Sequence, residues 1–153
     1  MLETPHVVVG AAIATHVLTP ALAIPLAVGS HFILDKVPHW NPHLFTETQK
    51  LGRPAKKSTT IALIDVGIAL ATGLFLASRF ASDPPKMALI LTCSLAGVTP
   101  DLVKWPYYYL GQRSRLLTRW VLFERSLQVN ADFWPGIITQ LAVIVAGAWW
   151  FFS

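Results

Sequence analysis

From Thr59 to Phe80 the chain runs through an apolar block whose only charge before Arg79 is Asp65, and comparable blocks extend from Lys86 to about Trp105 and from Phe133 to Phe152. Crossing the hydrocarbon of a bilayer takes about 20 mainly apolar residues in a helix. A backbone in that setting must satisfy its own hydrogen bonds, which leaves helices and closed barrels as solutions. The composition agrees, with 54% of the 153 residues hydrophobic and only 13% charged, against about 25% charged in a soluble domain. The expected fold is all-α: a polytopic transmembrane helical bundle forming a single integral membrane domain over residues 1–153.

About five such helices are expected. Pro5 suits a first helical turn, and the small-residue run after it predicts a helix over about 5–18, broken by Thr19-Pro20. A second helix over about 21–36 returns, so the two make a short N-terminal hairpin. The polar stretch from Trp40 to Ser58, with Pro42, Gly52 and Pro54, reads as a loop. Helices over about 59–80, 86–105 and 133–152 follow, the fourth interrupted near its end by Pro100. Between the last two, Leu116, Trp120, Phe123 and Leu127 recur at helical spacing among Arg113, Arg115, Arg119 and Arg125. That pattern predicts an amphipathic helix over about 112–128 on an anionic membrane surface. The start lacks a cationic n-region, so no cleavable signal peptide is expected. A lone cysteine, Cys93, excludes an intramolecular disulfide.

Positive charge sets the orientation. If each helix reverses direction, the loop from Lys36 to Lys57 and the segment from Lys104 to Arg125 share a side, and only Arg79 and Lys86 lie opposite. The positive-inside rule then puts the amino terminus and both basic loops in the cytoplasm and the carboxyl terminus outside. The net charge of +4 is read as topology and contact with membrane lipids, not as affinity for nucleic acid.

This topology gathers the ionisable residues at one depth. Gly29-Ser30-His31-Phe32-Ile33-Leu34-Asp35-Lys36-Val37-Pro38-His39 ends the second helix with His31, Asp35 and His39 at i, i+4 and i+8, which on one helix would share a face. Pro38 disfavours helix at Val37, so His31 and Asp35 form the firm pair and His39 must reach back from a turn. His6 starts the first helix at that level, Asp65 lies about 9 Å inside the third at ~1.5 Å per residue, and Asp101 is near the end of the fourth. Such groups cost several kcal/mol in hydrocarbon unless paired or bound to a metal. Imidazoles with carboxylates suit a divalent metal, with zinc the expected one. His16, at the other end, reads as a packing histidine. Asp132 and Gln140 are candidate supporting or substrate-contacting groups. Gly29-x6-Lys36-x-Pro38 recurs as Gly97-x6-Lys104-x-Pro106, a weak repeat that would set Asp101 near His31 and Asp35.

With His6 followed by Gly10, and Gly29 leading into the Asp35-to-His39 cluster, the chain resembles the small membrane-bound metal-dependent hydrolases, including the SOS-regulated inner-membrane type. In those proteins the acidic cluster often reads Pro-Asp-x-Asp-His; here Lys36 stands where a second Asp would be, leaving Asp65 or Asp101 to complete the set. The resemblance implies a hydrolase acting on an ester or phosphoester, lipid-linked or lipid-like, at the cytoplasmic membrane face. His6, His31, Asp35 and Asp65 would then bind metal, Asp101 and His39 would be catalytic, and Lys36, Lys104 and Gln140 would contact a substrate such as a phospholipid. Two other classes stay open from the residues alone: a non-catalytic membrane subunit with a buried polar cluster, and an ion or proton translocator. Oligomeric state is open as well.

Overall fold

The computed structural model describes all 153 residues and is all-helical, with seven helices and no strand. They are α1 (Glu3–His16), α2 (Pro20–Leu34), α3 (Leu44–Leu51), α4 (Lys56–Ser78), α5 (Pro84–Tyr109), α6 (Arg115–Leu127) and α7 (Phe133–Phe152). By length and composition α4, α5 and α7 can each cross a membrane. The helix α1, 14 residues long, is the axis of the molecule and packs against α2, α4, α5 and α7.

Around α1, which is buried over most of its surface, α2, α4 and α7 each turn a narrow stripe inward. On α2 the buried residues are Ala23, Ala27 and His31, four apart, and the C-cap Asp35 continues the series. On α4 the stripe includes Asp65, Ala69, Gly73 and Ala77, and on α7 it includes Gly136, Gln140, Gly147 and Phe151. A spacing of three to four residues keeps side chains on one helix face. Because the stripes are built from small residues, the backbones approach closely, the mode of packing available where lipid removes the hydrophobic drive between helices. At Gly10 an added Cβ would lie 2.4 Å from the Cys93 carbonyl oxygen, and at Gly97 it would lie 2.8 Å from that of His6. These two glycines set α1 against α5. The large apolar side chains face outward instead, among them Leu63, Leu70 and Phe75 on α4 and Trp134, Ile138 and Trp149 on α7.

Two expectations are corrected. The stretch from Trp40 to Ser58 is not loop throughout, because α3 forms within it. Gly52 closes α3 in the left-handed region at φ 77°, a geometry glycine adopts without a Cβ penalty. Glu47 on α3 then accepts from Ala55 N and Ser58 Oγ, each at 2.8 Å, capping the start of α4. In addition, α5 continues through Pro100 and Pro106 to Tyr109. Neighbours bond to its carbonyls there: Trp120 Nε1 donates to Pro100 O at 3.2 Å and Arg113 donates to Tyr107 O.

Candidate functional site

The ends of α1, α2 and α5 converge on Asp35, which is 1% exposed. Its carboxylate oxygens lie 3.6 Å from His6 Nε2, 3.5 Å from His31 Nε2 and 3.8 Å from His39 Nε2. The three histidines are fully buried, and the His6 and His31 rings stack with centroids 4.1 Å apart. His39 lies beyond Pro38, outside the helix. A short parallel pairing with the segment after α6 holds it: His39 N donates to Val129 O at 3.1 Å and Ala131 N donates to His39 O at 2.9 Å.

The hydrogen bonds define which nitrogen of each ring is free. His31 Nδ1 donates to Gly97 O at 2.8 Å, and His39 Nδ1 donates to Val37 O at 2.7 Å. Nε2 of His31 therefore carries a free lone pair beside Asp35, the arrangement of a metal-ligating histidine whose other nitrogen is held by a carbonyl, whereas Nε2 of His39 is an acceptor already in use. Asn41 Nδ2 donates to His39 Nε2 at 3.1 Å; both nitrogens of His6 and Nε2 of His31 are buried with no hydrogen-bond partner. The amino group of Met1 contacts Asp35, so a positive charge is accommodated at this carboxylate. Burial pushes the Asp35 carboxyl up, but contact with His6 and the amino terminus outweighs it, and the net direction is well below the usual carboxylate range. For His39, burial and then the amino terminus lower the imidazole. An ionised Asp35 and a neutral His39 are the forms that bind a cation.

Ligand atoms of His6, His31 and Asp35 lie within 4.8 Å of one another. Tetrahedral ligation with bonds of ~2.0–2.2 Å puts ligand atoms roughly 3.3–3.6 Å apart, close to the His6–Asp35 and His31–Asp35 separations. These residues fit a zinc-like ion. His31, Asp101 and Glu124 form a second such group, but Lys104 bridges both of its carboxylates. A lysine ammonium already neutralises that pair, so the first group is the better metal site.

The remaining residues separate into distinct roles. Asp101, whose Oδ1 is 3.6 Å from His31 Nε2, lies as the Gly29 and Gly97 repeat anticipates. Asp65 stands apart from the histidines. It accepts from Glu3 N and, through Oδ1, from Thr4 Oγ1 at 2.7 Å. It thereby caps the start of α1, whose own N-cap, Leu2, offers no side-chain acceptor. Gln140 joins α1 and α7 to the His39 loop, accepting from Leu2 N at 2.8 Å and donating to Trp40 O at 2.9 Å. Lys36 is exposed. His16 stacks on Trp150 and contacts its carbonyl oxygen at 2.7 Å. The polar groups that sequence reasoning missed are Glu3, Glu124 and Gln128, whose Nε2 lies 3.5 Å from Asp35 Oδ2. Glu3 passed as part of an unremarkable terminus, while Glu124 is buried on a helix whose arginines suggested a face lying on an anionic membrane surface.

Beside the cluster lies a cavity of about 390 Å³. Asp101 and Lys104 line it together with Glu3 and Asp65, whereas His6, His31 and Asp35 do not. Asp101 thus faces both the buried cluster and the cavity. No protein-family model, curated protein or solved structure matches this chain.

Proposed function

We propose that the protein is a membrane-embedded, metal-dependent hydrolase acting on an ester or phosphoester at the cytoplasmic face of an inner membrane. The observation that carries this reading is the pair of buried imidazoles, His6 with neither nitrogen hydrogen-bonded and His31 with Nε2 free, facing an ionised Asp35 at metal-ligand spacing. The motif resemblance at His6, Gly10 and Gly29 to His39 points the same way. His6, His31 and Asp35 would hold the ion, with His39 beside them; a bound zinc-like ion supplies a water of lowered pKa.

The chain's own residues divide the remaining work. Asp101 would stand on the cavity side as an ionised carboxylate beside His31, able to orient a water, and Lys104 holds that carboxylate and Glu124 in place. Asp65 holds the start of α1, and therefore His6, in place. Gly97 O orients His31.

Elemental analysis of the purified protein tests the reading. About one divalent metal per chain is expected, lost in His31→Ala and Asp35→Asn; a metal-free wild type, or content unchanged by both substitutions, would sink it.

One observation favours the non-catalytic subunit: Lys104, Asp101 and Glu124 satisfy one another within the chain, as a purely structural network would. Translocation has less support. Past Asp65 the inward stripe is Ala69, Gly73 and Ala77, and α1 presents buried Ala11 to Ala14, so no polar row leads toward Arg79.

A further inference from the structure

The walls of the cavity change character from one end to the other. Leu63 and Val66 on α4 and Leu102 and Trp105 on α5 all line it, yet these four are 59%, 44%, 45% and 50% exposed. Residues that line a cavity while facing outward on helices fit to cross a membrane form a lateral opening between α4 and α5. The opposite wall is polar. Arg125 lines the cavity with its guanidinium over the Phe45 ring at 4.4 Å and has no carboxylate within 4.0 Å, so its charge is unspent. Of the acids that line the cavity, Asp65 is engaged with the start of α1 and Asp101 with Lys104. Glu3 remains: its Oε2 is buried without a hydrogen-bond partner, and an unpaired buried oxygen of this kind calls for a donor.

We infer that this cavity is a binding site for the headgroup of a membrane glycerophospholipid, entered sideways between α4 and α5. The phosphate meets Arg125, a hydroxyl or ammonium on the headgroup meets Glu3, and the acyl chains stay in the bilayer along Leu63, Val66, Leu102 and Trp105. Size supports the division. A volume of about 390 Å³ is at the low end of the ~300–1,000 Å³ range of small-ligand pockets, so the two acyl chains stay outside. The chemistry selects among lipids: headgroups bearing a donor, such as glycerol or ethanolamine, satisfy Glu3, and choline does not. As a statement of substrate class this rests on the hydrolase reading; as a binding site it stands without it.

The test uses the full-length protein in nanodiscs made from equal parts of phosphatidylglycerol, phosphatidylethanolamine and phosphatidylcholine, with the lipids retained after detergent extraction identified by mass spectrometry. The glycerol and ethanolamine lipids are expected to be enriched over phosphatidylcholine. Arg125→Gln should lower their retention about tenfold or more, as expected for one charge-assisted bond, and Glu3→Gln should remove the preference over choline. Arg125 is exposed, so its substitution does not threaten the fold. No enrichment, or enrichment untouched by both substitutions, overturns the proposal. So does glycerol 3-phosphate binding as tightly as the lipids, which would mark a site for soluble phosphates. His31→Ala separates the two readings: lost metal with retained lipid selectivity supports both, a metal-free wild type that keeps lipid selectivity overturns the hydrolase alone, and a metal-loaded protein without it overturns the lipid site alone.

Discussion

Replacing Asp65 distinguishes a metal ligand from a helix cap. In the structure its carboxylate, 8% exposed, receives Glu3 N and Thr4 Oγ1 as its two short bonds, while the contact from Thr4 N is long at 3.4 Å. A hydrogen bond to a charged group is worth ~1.5–3 kcal/mol, and with so little exposure water cannot replace the lost acceptor. Asp65→Ala should therefore cost about 3–6 kcal/mol, a large part of the ~5–15 kcal/mol by which a domain is stable. Asp65→Asn keeps one acceptor oxygen and should cost about half as much. Reversible unfolding in mixed detergent micelles gives both values, and a double-mutant cycle with Thr4→Val should return a coupling energy of at least ~1 kcal/mol. On the proposed metal reading, the folded fraction of Asp65→Asn should match the wild type in metal content. Loss of metal from that variant at unchanged stability would show that Asp65 is a ligand and that the capping argument is wrong.

Gly10→Ala should destabilise by ~1–3 kcal/mol in the same unfolding assay, since its Cβ would meet the Cys93 carbonyl at 2.4 Å. Gly29→Ala, where nothing lies within 4 Å, should instead stabilise α2 by ~0.5–1 kcal/mol; a loss of stability would show that the head of the motif is packed. Burial pushes Glu124 up to about 7 from an ordinary 4.5, against the opposing pull of Lys104. The folded state thus holds that proton more tightly than the unfolded one, so this contribution is present below about pH 4.5 and lost as pH rises through about 7. Glu124→Gln should flatten the stability profile across that window, and an unchanged profile would refute the assignment. Lys104→Met leaves two buried carboxylates unpaired and should cost ~3–5 kcal/mol, read by thermal unfolding in detergent.

The level at which the polar residues gather was legible from the amino acids alone. Alternating helix directions and a rise of ~1.5 Å per residue suffice to put His6, His31 and Asp101 near one another. The reach of His39 back from its turn was also legible, since Pro38 forbids the helix from continuing; the strand-like pairing with Val129 and Ala131 that holds it was not. Pairings across the chain are invisible to local periodicity, and so are the rotations of helices about their own axes. For that reason Asp65 looked like one more ligand, and the bridge from Lys104 to Glu124, across 20 positions, left no mark in the spacing. Pro42, Gly52 and Pro54 suggested an unbroken loop, although they bound a helix whose Leu44, Thr48 and Leu51 repeat at helical spacing.

By itself, then, the sequence determined an all-helical chain with apolar blocks of bilayer length and a single polar level, because helix geometry and the cost of charge in hydrocarbon act locally. Only the tertiary structure decided the use of each polar group. Gly97 on α5 lets both α1 and α2 come close, a Cβ there lying 2.8 Å from His6 O and 3.9 Å from Ala27 O, and His6 of α1 stacks on His31 of α2. The carbonyls at Gly97 and Val37 direct Nε2 of His31 and His39 toward Asp35. Asp65, equally acidic and at nearly the same depth, is turned to the start of α1 instead.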